Sequence, residues 1–262
     1  MPPIMSRPRP VVSRRWAVVA VVAVGALPAA RAGTSGPVAA EAPAPFVVAL
    51  DPGHGGSNLG AAAADGLVEK DVTLALARRL RTQLEAIPGV RVVLCRDADV
   101  LVPIRARSRC AAGARAGLFL SLHVNATPAG VPAGSQRGFE LYVLPPDDVA
   151  DDALVAALGA PGAEGVWAAH LTRAAGEASL AAAASLEARL RVGLGPGLSR
   201  GVRQGGAALD VLRGAGTPAV LVEVGFLDDP RDRPLLATPA GQDRLAQILT
   251  AGVRDFRAAA LR

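Results

Sequence analysis

Five short apolar runs, at residues 46–50, 90–95, 118–122, 138–144 and 219–224, are separated by stretches whose apolar residues return every third or fourth position. A run of four to eight apolar residues suits a strand buried on both faces, whereas the 3.6-residue period suits a helix with one buried face. Strand and helix therefore alternate, which points to an α/β layered domain and away from separate all-α or all-β parts. The first helix, over about 71–86, carries Val72, Leu76, Leu80, Leu84 and Ile87 on one face and ends at Pro88-Gly89. Further helices are expected at about 103–114, 166–191 and 239–260, the last opening after Thr238 with Pro239 in its first turn. At 262 residues the chain can bury one sizeable core but seldom two, so one main domain is expected.

The formal charge of +5 has a local origin. Residues 1–32 hold five arginines and no acid, which leaves 23 basic residues to balance 23 acidic ones in the rest of the chain. A nucleic-acid surface is therefore not expected. Those 32 residues have the parts of an export signal: Arg7, Arg9, Arg14 and Arg15, an apolar run from Ala17 to Leu27, and Ala30-Arg31-Ala32 as a cleavage site. The apolar run of 11 residues is shorter than the roughly 20 that span a bilayer, and no later segment supplies such a stretch. Export to the periplasm, cell envelope or exterior is expected, with no membrane span once the signal is removed. Ser13-Arg14-Arg15 fits a twin-arginine signal as well as an ordinary Sec signal with adjacent arginines. Residues 33–45, GTSGPVAAEAPAP, read as a flexible linker, and the folded domain is expected over 46–262.

Three histidines occur in the chain, and two of them, His54 and His123, follow directly on apolar strand-like runs. Strand ends are where α/β proteins place their sites. Glu69 lies near the start of the first helix, where a glutamate ordinarily compensates the helix dipole. Two imidazoles and a carboxylate are also the ligand set of a catalytic zinc site that leaves one position open. Glu223, at the end of the apolar run AVLVE, is costly to bury unless it is paired with an arginine or used as a proton carrier. Asp51 and Asn125 flank the histidines as candidates to orient them, although Asp51 reads equally well as a turn former before Pro52.

Together DPGHGG (51–56), GLVEKDVTLALARRL around Glu69, FLSLHVN (119–125) and PAVLVEVGFLDD (218–229) resemble the zinc-dependent N-acetylmuramoyl-L-alanine amidases, which cut peptidoglycan. The resemblance runs in order over about 46–260 and takes in Arg96, Arg107, Gly138-Phe139-Glu140, Ser179-Leu180-Ala181 and Gly201-Val202. It implies a single three-layer domain with a mixed, mostly parallel central sheet flanked by helices. It also implies Zn2+ on His54, Glu69 and His123, and Glu223 as general base and then general acid. The implied reaction is hydrolysis of the amide between N-acetylmuramic acid and the L-alanine of the stem peptide, in wall remodelling or daughter-cell separation. Two other readings stand beside it: a wall-binding or regulatory module without catalysis, and a zinc peptidase acting on small peptides.

Departures from the family pattern limit what transfers. Ala116-Gly117 stands where Ala-Asp is common, Asp228-Asp229 where Ser-Asn often follows the glutamate, and residues 205–208 are Gly-Gly-Ala-Ala. The acidic insertion at about 145–165 corresponds to a region that in some relatives carries a helix blocking the zinc site. Here Asp151–Leu158 is too short for an independent helix, so autoinhibition is not expected. No activating partner can be named. Two buried free thiols are the simpler reading of Cys95 and Cys110, although an exported protein can join them. Neither is expected to be a nucleophile, nor is a Ser121/His123 pair, since no nucleophile elbow is present. His170 reads as a surface or packing residue.

Overall fold

The computed structural model describes residues 44–146, 163–205 and 207–262, without the side chains of 163–173, 207 and 208. The expected export signal, nearly all of the linker, the acidic residues 147–162 and the side chain of His170 lie outside the described residues.

The six strands are β1 (Phe46–Pro52), β2 (Val90–Leu94), β3 (Leu118–Asn125), β4 (Phe139–Val143), β5 (Ser199–Gln204) and β6 (Ala219–Phe226). They form one sheet in the order β2-β1-β3-β6-β4-β5. The pairs from β2 to β6 are parallel, β4 runs antiparallel to β6, and β5 runs parallel to β4. A mixed, mostly parallel sheet results.

Helices α1 (Glu69–Glu85), α2 (Ile104–Gly113), α3 (Ala163–Leu194), α4 (Arg233–Ala237) and α5 (Pro239–Ala260) complete the layers, with a 3-10 turn at Ala207–Val211. The two sheet faces are read directly from the period-2 alternation of the strands. Val48, Leu50, Leu118, Leu120, Leu122, Val220 and Val222 meet the buried stripes of α1, α3 and α5 in the larger core. Val47, Ala49, Phe119 and Leu221 point the other way, toward Ala111 of α2 and Leu209, Val211 and Leu212. Both faces are covered, which is why the central strands read as continuous apolar runs. Among the described residues no helix is long and apolar enough to cross a membrane.

Helix α5 begins as its sequence predicts: the Thr238 hydroxyl accepts from the Gly241 amide at 3.0 Å, with Pro239 in the first turn. Ile87 departs from expectation, because α1 ends at Glu85 and Ile87 packs against the core from beyond the helix. Strand β5 was not anticipated. Its sequence, SRGVRQ, has one strong strand former, and as an edge strand it needs no continuous apolar run. The five-residue α4, opened by Pro234, is likewise too short to show a period.

The cysteines overturn the simpler reading. Cys95, just after β2, and Cys110, in α2, form a disulfide, with Cα atoms 5.6 Å apart. Their distance was not legible because it depends on how α2 packs back against the sheet. Gly117 replaces the family's aspartate for a visible reason: a Cβ there would lie 2.5 Å from the ring of Phe46.

Candidate metal centre

Parallel strands of one sheet end together, and here the ends of β1 and β3 bring the two histidines to one edge. On β3, Ser121 and His123 fall on the face opposite Leu120 and Leu122, and Glu223 of β6 is the register partner of His123. Asp51 of β1 pairs in register with Ser121. The polar residues thus occupy the α2 side of the sheet, at its C-terminal edge.

The loop after β1 delivers His54. Its backbone is left-handed, φ 62°, which is uncommon for a residue with a Cβ. The imidazole Nδ1 lies 2.9 Å from Asn58 Oδ1, which leaves Nε2 turned to Glu69 Oε2 at 3.1 Å. His123 Nδ1 stands 3.0 Å from Glu69 Oε1. The two rings meet edge to face with centroids 5.0 Å apart. Glycines make the room. A Cβ at Gly53 would sit 2.5 Å from His123 Cε1, and one at Gly60, itself at φ 67°, would sit 2.4 Å from Glu69 Oε2.

Glu69 is the hub of this arrangement. It opens α1 but does not serve merely as a dipole-compensating residue, since it is 4% exposed and its carboxylate accepts from the amides of Ala61 (2.8 Å) and Val124 (2.9 Å). Burial alone raises its pKa, yet the contacts to His123 and His54 outweigh that and hold the carboxyl well below its usual range. Donor atoms of His54, Glu69 and His123 all lie within 4.8 Å of one another. Two borderline nitrogen donors and one ionised oxygen donor converge on one point, and this set fits a divalent ion such as zinc.

Glu223 borders the same cavity of about 590 Å³. The rest of its lining is largely apolar and includes residues 101–104, Val211 and Leu221. Although Glu223 is partly exposed as a residue, its Oε2 atom is buried and has no hydrogen-bond partner. Burial pushes its pKa up to about 7, with the carboxylates of Glu69 and Glu140 adding to the rise and His123 opposing it. Among the described residues no arginine forms a salt bridge with it. The nearby arginines go instead to Glu140, its register partner on β4, which Arg203 Nε contacts at 2.8 Å.

Among the described residues neither Asp51 nor Asn125 hydrogen-bonds to an imidazole. Asp51 is wholly buried, paired with Arg107 Nη1 at 2.7 Å and accepting from the Ser121 hydroxyl at 2.9 Å. Ser121 is thereby engaged away from His123. Asn125 Nδ2 donates to Glu140 Oε1 at 2.6 Å. The residue that does hold an imidazole, Asn58, was not singled out, and nothing in GSNLG distinguishes it from a turn asparagine. Asp228, one of the departures, ties down the loop after β3 by accepting from the amides of Thr127 (3.0 Å) and Gly134 (2.9 Å).

Residues 48–255 match the family model of N-acetylmuramoyl-L-alanine amidase. The chain belongs to this amidase family. Amidase AmiC of Neisseria meningitidis is 32% identical over 80% of the chain, and AmiA of Escherichia coli is 31% identical over 86% of the chain and 80% of its own length. The chain spans about half the length of the AmiC relatives, 52% of the meningococcal protein and 53% of one from E. coli. Among solved structures, the amidase AmiC2 of Nostoc punctiforme superposes with a TM-score of 0.63 at 28% identity, covering 81% of this chain and 97% of that one. The amidase fold therefore accounts for the described layers and strand order.

Proposed function

We propose that the chain hydrolyses the amide between N-acetylmuramic acid and L-alanine in peptidoglycan, with zinc held by His54, Glu69 and His123 and with Glu223 as the proton carrier. The observation that carries this is the partnerless, buried carboxylate oxygen of Glu223 beside a His/Glu/His cluster in an amidase fold. Zinc bound there supplies a Lewis acid for the amide carbonyl and makes water nucleophilic near neutral pH. Glu223 Oε2 accepts the proton from the attacking water and passes it to the departing alanine nitrogen, a task open to a buried carboxylate oxygen that no other group among the described residues engages. Amide nitrogen leaves poorly without that proton. Asn58 holds Nδ1 of His54, which leaves Nε2 for the metal, and the amides of Ala61 and Val124 hold the Glu69 carboxylate in place.

The proposed organisation is an export signal over 1–32, a linker over 33–45 and the catalytic domain over 46–262, with action in the periplasm or outside the cell. Digestion of purified cell wall, followed by mass spectrometry of the products, tests the activity. Free stem peptides beginning with L-alanine, lost with a chelator and restored by zinc, are expected. Intact wall throughout supports a binding module instead, and cleavage confined to small peptides supports a peptidase.

A further inference from the structure

His54 stands in the cluster with a left-handed backbone, φ 62°, a conformation that a residue with a Cβ adopts uncommonly. Buried side chains from other elements brace the turn: Arg96 donates to the carbonyls of Pro52 (3.1 Å) and Gly53 (3.0 Å), and the Thr73 hydroxyl donates to that of Gly53 (2.9 Å). Among the described side chains, Arg107 is the one that reaches the carbonyl of His54 itself. Arg107 of α2, 5% exposed, donates through Nη2 to the His54 carbonyl at 2.6 Å and through Nη1 to the Pro52 carbonyl and the Asp51 carboxylate, both at 2.7 Å. Its Nε donates to the Val102 carbonyl at 3.1 Å, on the apolar wall of the cavity. A single planar guanidinium therefore spans the strand end, the turn and the cavity lining. The helix that carries it is tethered in turn, since Cys110, three residues on, is bonded to Cys95.

We infer that Arg107 is a positioning residue: it sets the left-handed turn that aims His54 at the metal, and the geometry of its fork, not its charge alone, performs this. An ammonium is a point charge with three donors that can neutralise Asp51 but cannot match four acceptors placed around a planar fork. Lysine at this position should keep the fold and lose the aim. The inference rests on His54 being a ligand, so the test begins with wild-type zinc affinity.

Zinc affinity is measured by competition with a chromophoric chelator for wild type, Arg107→Lys and Leu84→Ala, alongside the melting temperature of each metal-free protein. Leu84, in the last turn of α1, is fully buried in the larger core and outside the site, and its truncation lowers stability without touching the turn. Arg107→Lys is expected to bind zinc about 10–100-fold more weakly, the usual loss when a group supporting a ligand is removed. Leu84→Ala should bind within about twofold of wild type. Equal affinity of Arg107→Lys and wild type overturns the inference, as does an equal loss in both variants, which signals general softening. If Arg107→Lys does not fold, the pair Asp51→Asn with Arg107→Gln removes both buried charges together and is held to the same two outcomes. A wild-type protein that binds no zinc refutes the metal centre itself and is recognised before any variant is compared.

Discussion

Glu223 and His123 are register partners on adjacent parallel strands, yet the imidazole is engaged by Glu69 while Glu223 Oε2 remains buried and without a partner. The sheet thus places a ligand and a proton carrier side by side and leaves the carrier free. Division of labour between them can be tested separately.

Glu223→Ala should lower turnover by about 10²–10⁴-fold, the range for loss of general acid–base catalysis, while zinc content stays near wild type. His54→Ala should lose metal as well as activity. Metal analysis of the purified variants beside their rates on cell wall distinguishes the two. Full activity in Glu223→Ala removes that residue from the chemistry.

The raised pKa of Glu223 also makes a stability prediction for the metal-free protein. Between its ordinary value, 4.5, and about 7 the folded chain holds a proton that the unfolded chain has released, so stability falls as pH rises through that window and levels off above it. The loss approaches about 3 kcal/mol. Glu223→Gln should lack this component. Urea melts of the two metal-free proteins at pH 5 and pH 8 check it, and parallel pH dependences in both refute it.

Gly53→Ala tests the close approach of the turn to His123. A Cβ 2.5 Å from the ring must displace the imidazole or the loop, and zinc affinity should drop about 10–100-fold. Gly66→Ala is not an equivalent control despite its open surroundings, because Gly66 sits at φ 90°. Gly113→Ala, at the end of α2 with open space and no positive φ, should leave affinity unchanged. Chelator competition reads both.

The Cys95–Cys110 bond closes a sequence separation of 15 residues and should contribute about 3 kcal/mol. Replacing both cysteines by serine should lower unfolding free energy by about that amount in denaturant titrations. Thiol counting under denaturing, nonreducing conditions should find none in the wild type. Two thiols in that assay refute the bridge.

Most of the layer architecture was legible because each element carries its own local period. The stripe of Val72, Leu76, Leu80 and Leu84 and the apolar runs of β1, β3 and β6 need only their immediate neighbours to be recognised. Strand β5 escaped because an edge strand of SRGVRQ owes its conformation to pairing with β4 and not to its composition. Asn58 and the cysteine bridge escaped for the same kind of reason, since each depends on how a loop or helix folds back.

By itself the sequence determined the alternation of strands and helices, the identity of His54, Glu69, His123 and Glu223 as the chemically expensive residues, and their order along the chain. Only tertiary structure decided that four residues spread from 54 to 223 share one edge of a sheet, that Asp51 and Asn125 bond to Arg107 and Glu140, and that Arg107 grips the turn beneath His54. Periodicity is a property of neighbouring residues. Convergence is set by strand order, register and the direction each side chain takes across the sheet, and these exist only once the layers have packed.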